Sequence, residues 1–154
     1  MIHTKIISLF PGFDRDNYID THSEECLKLD LFSFKHPWRD ERECSNYLEN
    51  YIEAIQNNIG KIEFIIVDAS IDVRKILEFN CIFYYLVFPA IQRKFEFIGR
   101  FIEKKYDDNF IVDYESHWNE YIKSMLNENI NHCNVLLTIN DSMLPILTRI
   151  KNLN

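Results

Sequence analysis

Apolar positions along this chain follow two periods. Four runs, Lys5 to Phe10, Phe64 to Val67, Ile82 to Phe88 and Val135 to Ile139, are nearly continuous in β-branched, leucine and aromatic residues, the pattern of strands buried on both faces. Leu27 to Phe32 is a weaker fifth run. Between them the spacing becomes helical: Tyr47, Leu48, Tyr51, Ile52, Ile55 and Ile59; Ile91, Phe95, Ile98 and Ile102; Ile111, Tyr114, Trp118, Tyr121, Ile122 and Met125. Parallel neighbours need a crossover of a dozen or more residues, so this alternation predicts a three-layer α/β/α fold around a central, mostly parallel sheet of about five strands. The strands at Ile6, Ile65 and Leu86 are expected inside it, and the first should feed a loop and helix near Pro11 to Tyr18. Gly60 stands where a C-terminal glycine would stop the Tyr47–Ile59 helix. Asp141 or Ser142 would cap a last helix running to Ile150. The polar stretch from Lys35 to Glu43 is long enough for a loop or small lid.

With 154 residues, 47% of them apolar and 12 Phe and 8 Tyr among them, the chain has material for one sizeable core, and residues 1–154 read as a single domain. The run from Cys81 to Ile91 is too short to span a bilayer, and the first residues lead into a strand, so a cytoplasmic protein with no membrane partner is expected. Lys and Arg number 17 against 24 Asp and Glu, a net charge of −7, which argues against a chain whose main task is coating nucleic acid or an anionic membrane. That charge is unevenly placed. Asp14 to Glu53 holds eleven acidic and five basic residues, whereas Arg74 to Lys105 holds seven basic and three acidic. Arg93, Arg100 and Lys104 fall at i, i+7 and i+11 on one helix face, as a solvated row or as an anion site. Cysteines 26, 44, 81 and 133 form no C-x-x-C pair and read as reduced thiols. His22 and Cys26 supply at most half a metal site, so no metal is expected.

The candidate chemistry lies where the first strand ends. Ser8-Leu9-Phe10-Pro11-Gly12-Phe13-Asp14-Arg15-Asp16 occupies the place of a phosphate-binding loop between strand and helix. A working loop reads G-x-x-x-x-G-K-[ST]: glycines let backbone N–H groups wrap phosphates, lysine neutralises them and the hydroxyl holds magnesium. Here Leu9 and Asp14 stand at the glycine positions, Arg15 at the lysine and Asp16 at the hydroxyl residue, with Gly12 the remaining glycine.

Other segments run in an order that resembles small, largely phage-encoded P-loop proteins similar to nucleoside monophosphate and adenylate kinases. Asn50-Tyr51-Ile52 through Asn58-Ile59-Gly60 is similar to that family's N-Y-I helix ending, and Phe64 to Asp68 followed by Val73-Arg74 to its third strand and V-R. Tyr85-Leu86-Val87-Phe88-Pro89, then Arg93-Lys94, Glu96-Phe97 and Arg100, resembles its next strand and basic helix, and Trp118 to Ile122 its N-W-x-x-W-I helix. The resemblance implies anion-binding roles for Arg74, Arg93 and Arg100, and magnesium or acceptor-site roles for the carboxylates Asp68 and Asp30; the plainer readings are a strand-end cap and a turn residue. Because the departure falls on the phosphate loop, the expectation is an inactive kinase-like protein, with no catalytic residue and no cofactor, that binds a macromolecule, in the first place a protein, or a second copy of itself. In a phage that implies interference with a host defence system, in the host cytoplasm. The alternative is a nucleotide-binding protein or nucleoside monophosphate kinase that uses ATP and magnesium through an atypical loop.

Overall fold

The computed structural model describes residues 2–34, 46–128, 133–138 and 142–153. Five strands, β1 (Lys5–Leu9), β2 (Cys26–Leu29), β3 (Phe64–Asp68), β4 (Tyr84–Pro89) and β5 (Cys133–Thr138), form one sheet in the order β2-β3-β1-β4-β5. Every pairing is parallel. β1 lies at the centre, with Ile6 opposite Ile65 of β3 and Ser8 opposite Leu86 of β4. A parallel sheet must be covered on both faces, and helices do so in a three-layer α/β arrangement. They are α1 (Asp16–Thr21), α2 (Leu31–Phe34), α3 (Tyr47–Asn58), α4 (Ile71–Phe79), α5 (Lys94–Glu103), α6 (Asp108–Leu126) and α7 (Met143–Lys151), with a 3-10 turn at Ile91–Arg93 before α5. Ile6, Ile65 and Leu86 are buried as expected.

The strand limits differ from the hydrophobic runs for local reasons. The weak second run ends at Leu29, not Phe32: Asp30 Oδ1 accepts the N–H of Phe32 and Asp68 Oδ2 accepts that of Leu31, turning the chain into α2. The last run includes Cys133 and Asn134 ahead of Val135, the described strand being Cys133–Thr138, and Ile139 lies outside the described residues. α4 has no counterpart in the helical stripes read from the sequence, being nine residues long with Val73, Arg74 and Leu77 inward. Ser70 marks its start by accepting the N–H of Val73, the usual N-cap contact. Gly60 does follow the third helix, at φ +87°, and its N–H is taken by the Thr4 hydroxyl. The helix around Trp118 carries a break at His117, where the backbone leaves helical values. The Lys35–Glu43 stretch and Asp141 lie outside the described residues.

Arg74 is 3% exposed, and a guanidinium at that depth requires partners. Its Nε donates to the Ala69 carbonyl and its Nη2 to Ser124 Oγ, while Nη1 is ion-paired with Glu128, which also accepts from Tyr84 OH. One buried charge pair thus ties α4, the end of β3, β4 and the end of α6. Breaking it from one side strands the other charge. Glu128→Ala is expected to lower unfolding free energy in urea by about 3–5 kcal/mol, and the double variant Arg74→Met/Glu128→Leu to recover most of that loss.

Candidate functional site

The loop after β1 leaves the sheet where β1 lies between β3 and β4, and Phe10 N–H bonds back to Val87 O of β4. Two aromatic side chains govern its path. Phe10 is fully buried, its ring 5.5–5.7 Å from those of Trp118, Tyr114 and Phe97, and Phe13, also buried, packs edge-on to Phe97 at 5.4 Å. Gly12 joins them at φ +100°, a left-handed conformation, and a Cβ there would stand 2.8 Å from Phe97 Cδ1. The loop therefore lies directly against α5. Its carbonyls face that helix's cations: Gly12 O accepts from Arg100 Nη1 at 3.4 Å and Phe13 O from Lys104 Nζ at 3.1 Å.

The basic row of α5 is engaged as well as oriented. Glu96 bridges Arg93 and Arg100 at 2.8 Å each, and both guanidinium groups lie over the Phe97 ring, at 5.1 and 4.4 Å from its centre. Beyond the loop, Asp14 makes a parallel bridge to Ser142 at the start of α7. Asp16 accepts from Lys28 at 3.0 Å and lies 3.8 Å from Arg15. Partial burial works against the Asp16 charge, yet Lys28 and Arg15 outweigh it and hold the carboxyl below its ordinary value.

A cleft of about 300 Å³ opens at the carboxyl ends of β1, β2 and β3, lined by Leu9, Pro11, Arg15, Asp30, Asp68 and Tyr114 among others. This is the position at which open α/β sheets place ligands. Both acids also hold the β2–α2 turn through the bonds to Leu31 and Phe32, and Ser8 Oγ donates to the Asp68 carbonyl at 2.8 Å. Burial, with the Asp30 charge beside it, raises the Asp68 carboxyl above its ordinary value, although the Leu31 N–H and Arg15 oppose the shift. A second cleft of about 430 Å³ shares Ala69, Ser70 and Tyr114 with the first and is walled by Arg74, Asp113, Glu120 and Tyr121.

The structure brings Gly12, Asp14, Arg15 and Asp16 together in one loop, sets Arg100 on that loop, and places Arg15, Asp30 and Asp68 around one cleft. Arg74 lines the second cleft instead, with Nε, Nη1 and Nη2 engaged by Ala69, Glu128 and Ser124. Sequence reasoning passed over Phe10, Phe13 and Tyr114 as functional positions. The signal available was two phenylalanines three residues apart, flanking Pro11-Gly12, in a loop that would need small residues to hold phosphate. Among the described residues no group of three His, Cys, Asp or Glu side chains is placed to hold a metal ion, and no helix is long and apolar enough to cross a membrane. Cys26, Cys81 and Cys133 are free thiols. Comparison of the chain with protein-family models, curated proteins and solved structures finds no match.

The loop and the cleft can each be tested by substitution. Gly12→Ala combines a left-handed backbone with a contact that Phe97 must yield to, so a loss of at least about 2 kcal/mol is expected in chemical denaturation. Asp68, raised in the fold, binds its proton more tightly there than in the unfolded chain; its contribution is full below the ordinary carboxylate range and declines as pH rises through the folded value. Denaturation curves taken from pH 4 upward should show that decline in wild type and a smaller one in Asp68→Asn.

Proposed function

We propose that the protein is a non-catalytic, P-loop kinase-like domain that acts by binding a macromolecular partner, in the first place a protein. The observation that carries this reading is the anchored loop: Phe10 and Phe13 are seated against Phe97 and Trp118, and the carbonyls of Gly12 and Phe13 are turned to Arg100 and Lys104. A phosphate cradle needs backbone N–H groups wrapped around the phosphates, with lysine and a hydroxyl residue beside them. α1 adds no compensation, having only six residues. Asp14 and Asp16 would each bring negative charge toward a polyphosphate, opposing it by about 1 kcal/mol in water and about 4 at an effective dielectric of 20, for charges 4 Å apart. ATP with magnesium does not fit these residues. The phage context implied by the sequence resemblance would make a host defence protein the partner.

A second reading, nucleotide binding or nucleoside monophosphate phosphorylation through an atypical loop, draws on one observation, the cleft that places Arg15 beside Asp30 and Asp68 at the strand ends. Isothermal titration with ATP and magnesium, run beside a coupled kinase assay over the nucleoside monophosphates, separates the two. No binding heat and no turnover are expected, with Arg15→Ala indistinguishable from wild type. Turnover that disappears in Arg15→Ala would reverse the order of the readings.

A further inference from the structure

α5 is apolar on two sides. Phe97, Ile98 and Phe101 are buried beneath it, while Phe95 is 82% and Ile102 60% exposed. Phe95, Gly99 and Ile102, at i, i+4 and i+7, share the outward face. Gly99 has no task in the fold: its φ is not positive, and a Cβ there would meet nothing within 4 Å. A glycine inside a helix weakens it relative to alanine, so at Gly99 the chain carries a cost with no return inside the molecule. What it does provide is a notch between two exposed apolar side chains, where another backbone can approach closely.

The charge around this notch selects its occupant. Arg93 to Lys105 holds five basic and two acidic residues, in a chain that is acidic overall. Lys94 Nζ lies over the Phe95 ring at 6.0 Å, and Lys104 and Lys105 are exposed at the helix end. Two copies of this face would set like charge against like. Resting on the partner-binding reading above, we infer that the Phe95–Gly99–Ile102 face of α5 docks an acidic amphipathic helix of a protein partner, its apolar side chains seated on Phe95 and Ile102 and its carboxylates beside Lys94 and the lysines after the helix.

The probe is a short, fluorescently labelled amphipathic peptide of leucine and glutamate, compared with one carrying lysine for glutamate and one carrying serine for leucine. Anisotropy should show the Leu/Glu peptide binding at least about tenfold more tightly than either control, and more weakly as salt rises. Phe95→Ser and Gly99→Leu should each lower its affinity at least about tenfold with unchanged circular dichroism, and Lys94→Glu should weaken it too. Gly99→Ala should raise the melting temperature by about 2–4 °C, as expected where the fold does not use the glycine. Equal binding of the three peptides, or affinity untouched by Phe95→Ser and Gly99→Leu, would overturn the inference. So would a dimer in sedimentation velocity that Phe95→Ser dissociates, which would make a second copy the occupant. Nucleotide turnover alongside normal peptide binding would remove the non-catalytic reading and leave the docking face standing.

Discussion

The contact between Phe10 and the rings of Phe97, Tyr114 and Trp118 organises this molecule. It joins the carboxyl end of the central strand to α5 and α6 through one buried side chain. Edge-to-face aromatic pairs add roughly 0.5–1.5 kcal/mol each beyond area burial, so the three together supply about 1.5–4.5 kcal/mol, a substantial fraction of the about 5–15 kcal/mol by which domains are stable. The loop's conformation is set by seating that ring. Gly12 is left-handed and Phe97 leaves no room for a Cβ on it, Phe13 drops into the same seam, and the carbonyls of Gly12 and Phe13 are presented to Arg100 and Lys104.

The same seam explains why the basic row of α5 does not form a bare cationic patch. Phe97 lies beneath two guanidinium groups, Glu96 binds both, and the loop accepts from Arg100 and Lys104. Two guanidinium groups share the single Glu96 carboxylate and the loop's acceptors are uncharged carbonyls, so the row has partners yet keeps a net positive charge. The cleft beside it differs: Asp30 and Asp68 serve backbone N–H groups, and among the described residues Arg15 supplies the positive charge of its lining.

Legibility in the sequence tracked how far each element depends on its own residues. The central strands were readable because burial on both faces requires unbroken apolar runs, as in Ile6-Ile7 and Phe64 to Val67. α4 was not, since its inward face includes Arg74, whose burial depends on Glu128, 54 residues away. The bend after Leu29 was hidden for the same reason, being held by a carboxylate from another strand. At the candidate site it was plain that Asp14, Arg15 and Asp16 are not the glycine, lysine and hydroxyl residue that a phosphate-binding loop uses. The loop's anchoring by Phe10 and Phe13 was not, because that requires knowing that Phe97 of α5 and Trp118 of α6 meet at the end of β1.

One consequence of the seated loop concerns how its sequence can change. Lysine and serine at positions 15 and 16 would add phosphate-binding groups to a loop whose course is still fixed by the buried rings of Phe10 and Phe13. Trimming either ring first would open a cavity against Phe97 and Trp118, with nothing yet gained by the chain. No order of single substitutions from this loop to a phosphate-binding one avoids a step that is either useless or destabilising. The aromatic seam thus restricts how this loop can change, and a change toward phosphate binding would have to alter both halves of the contact at once.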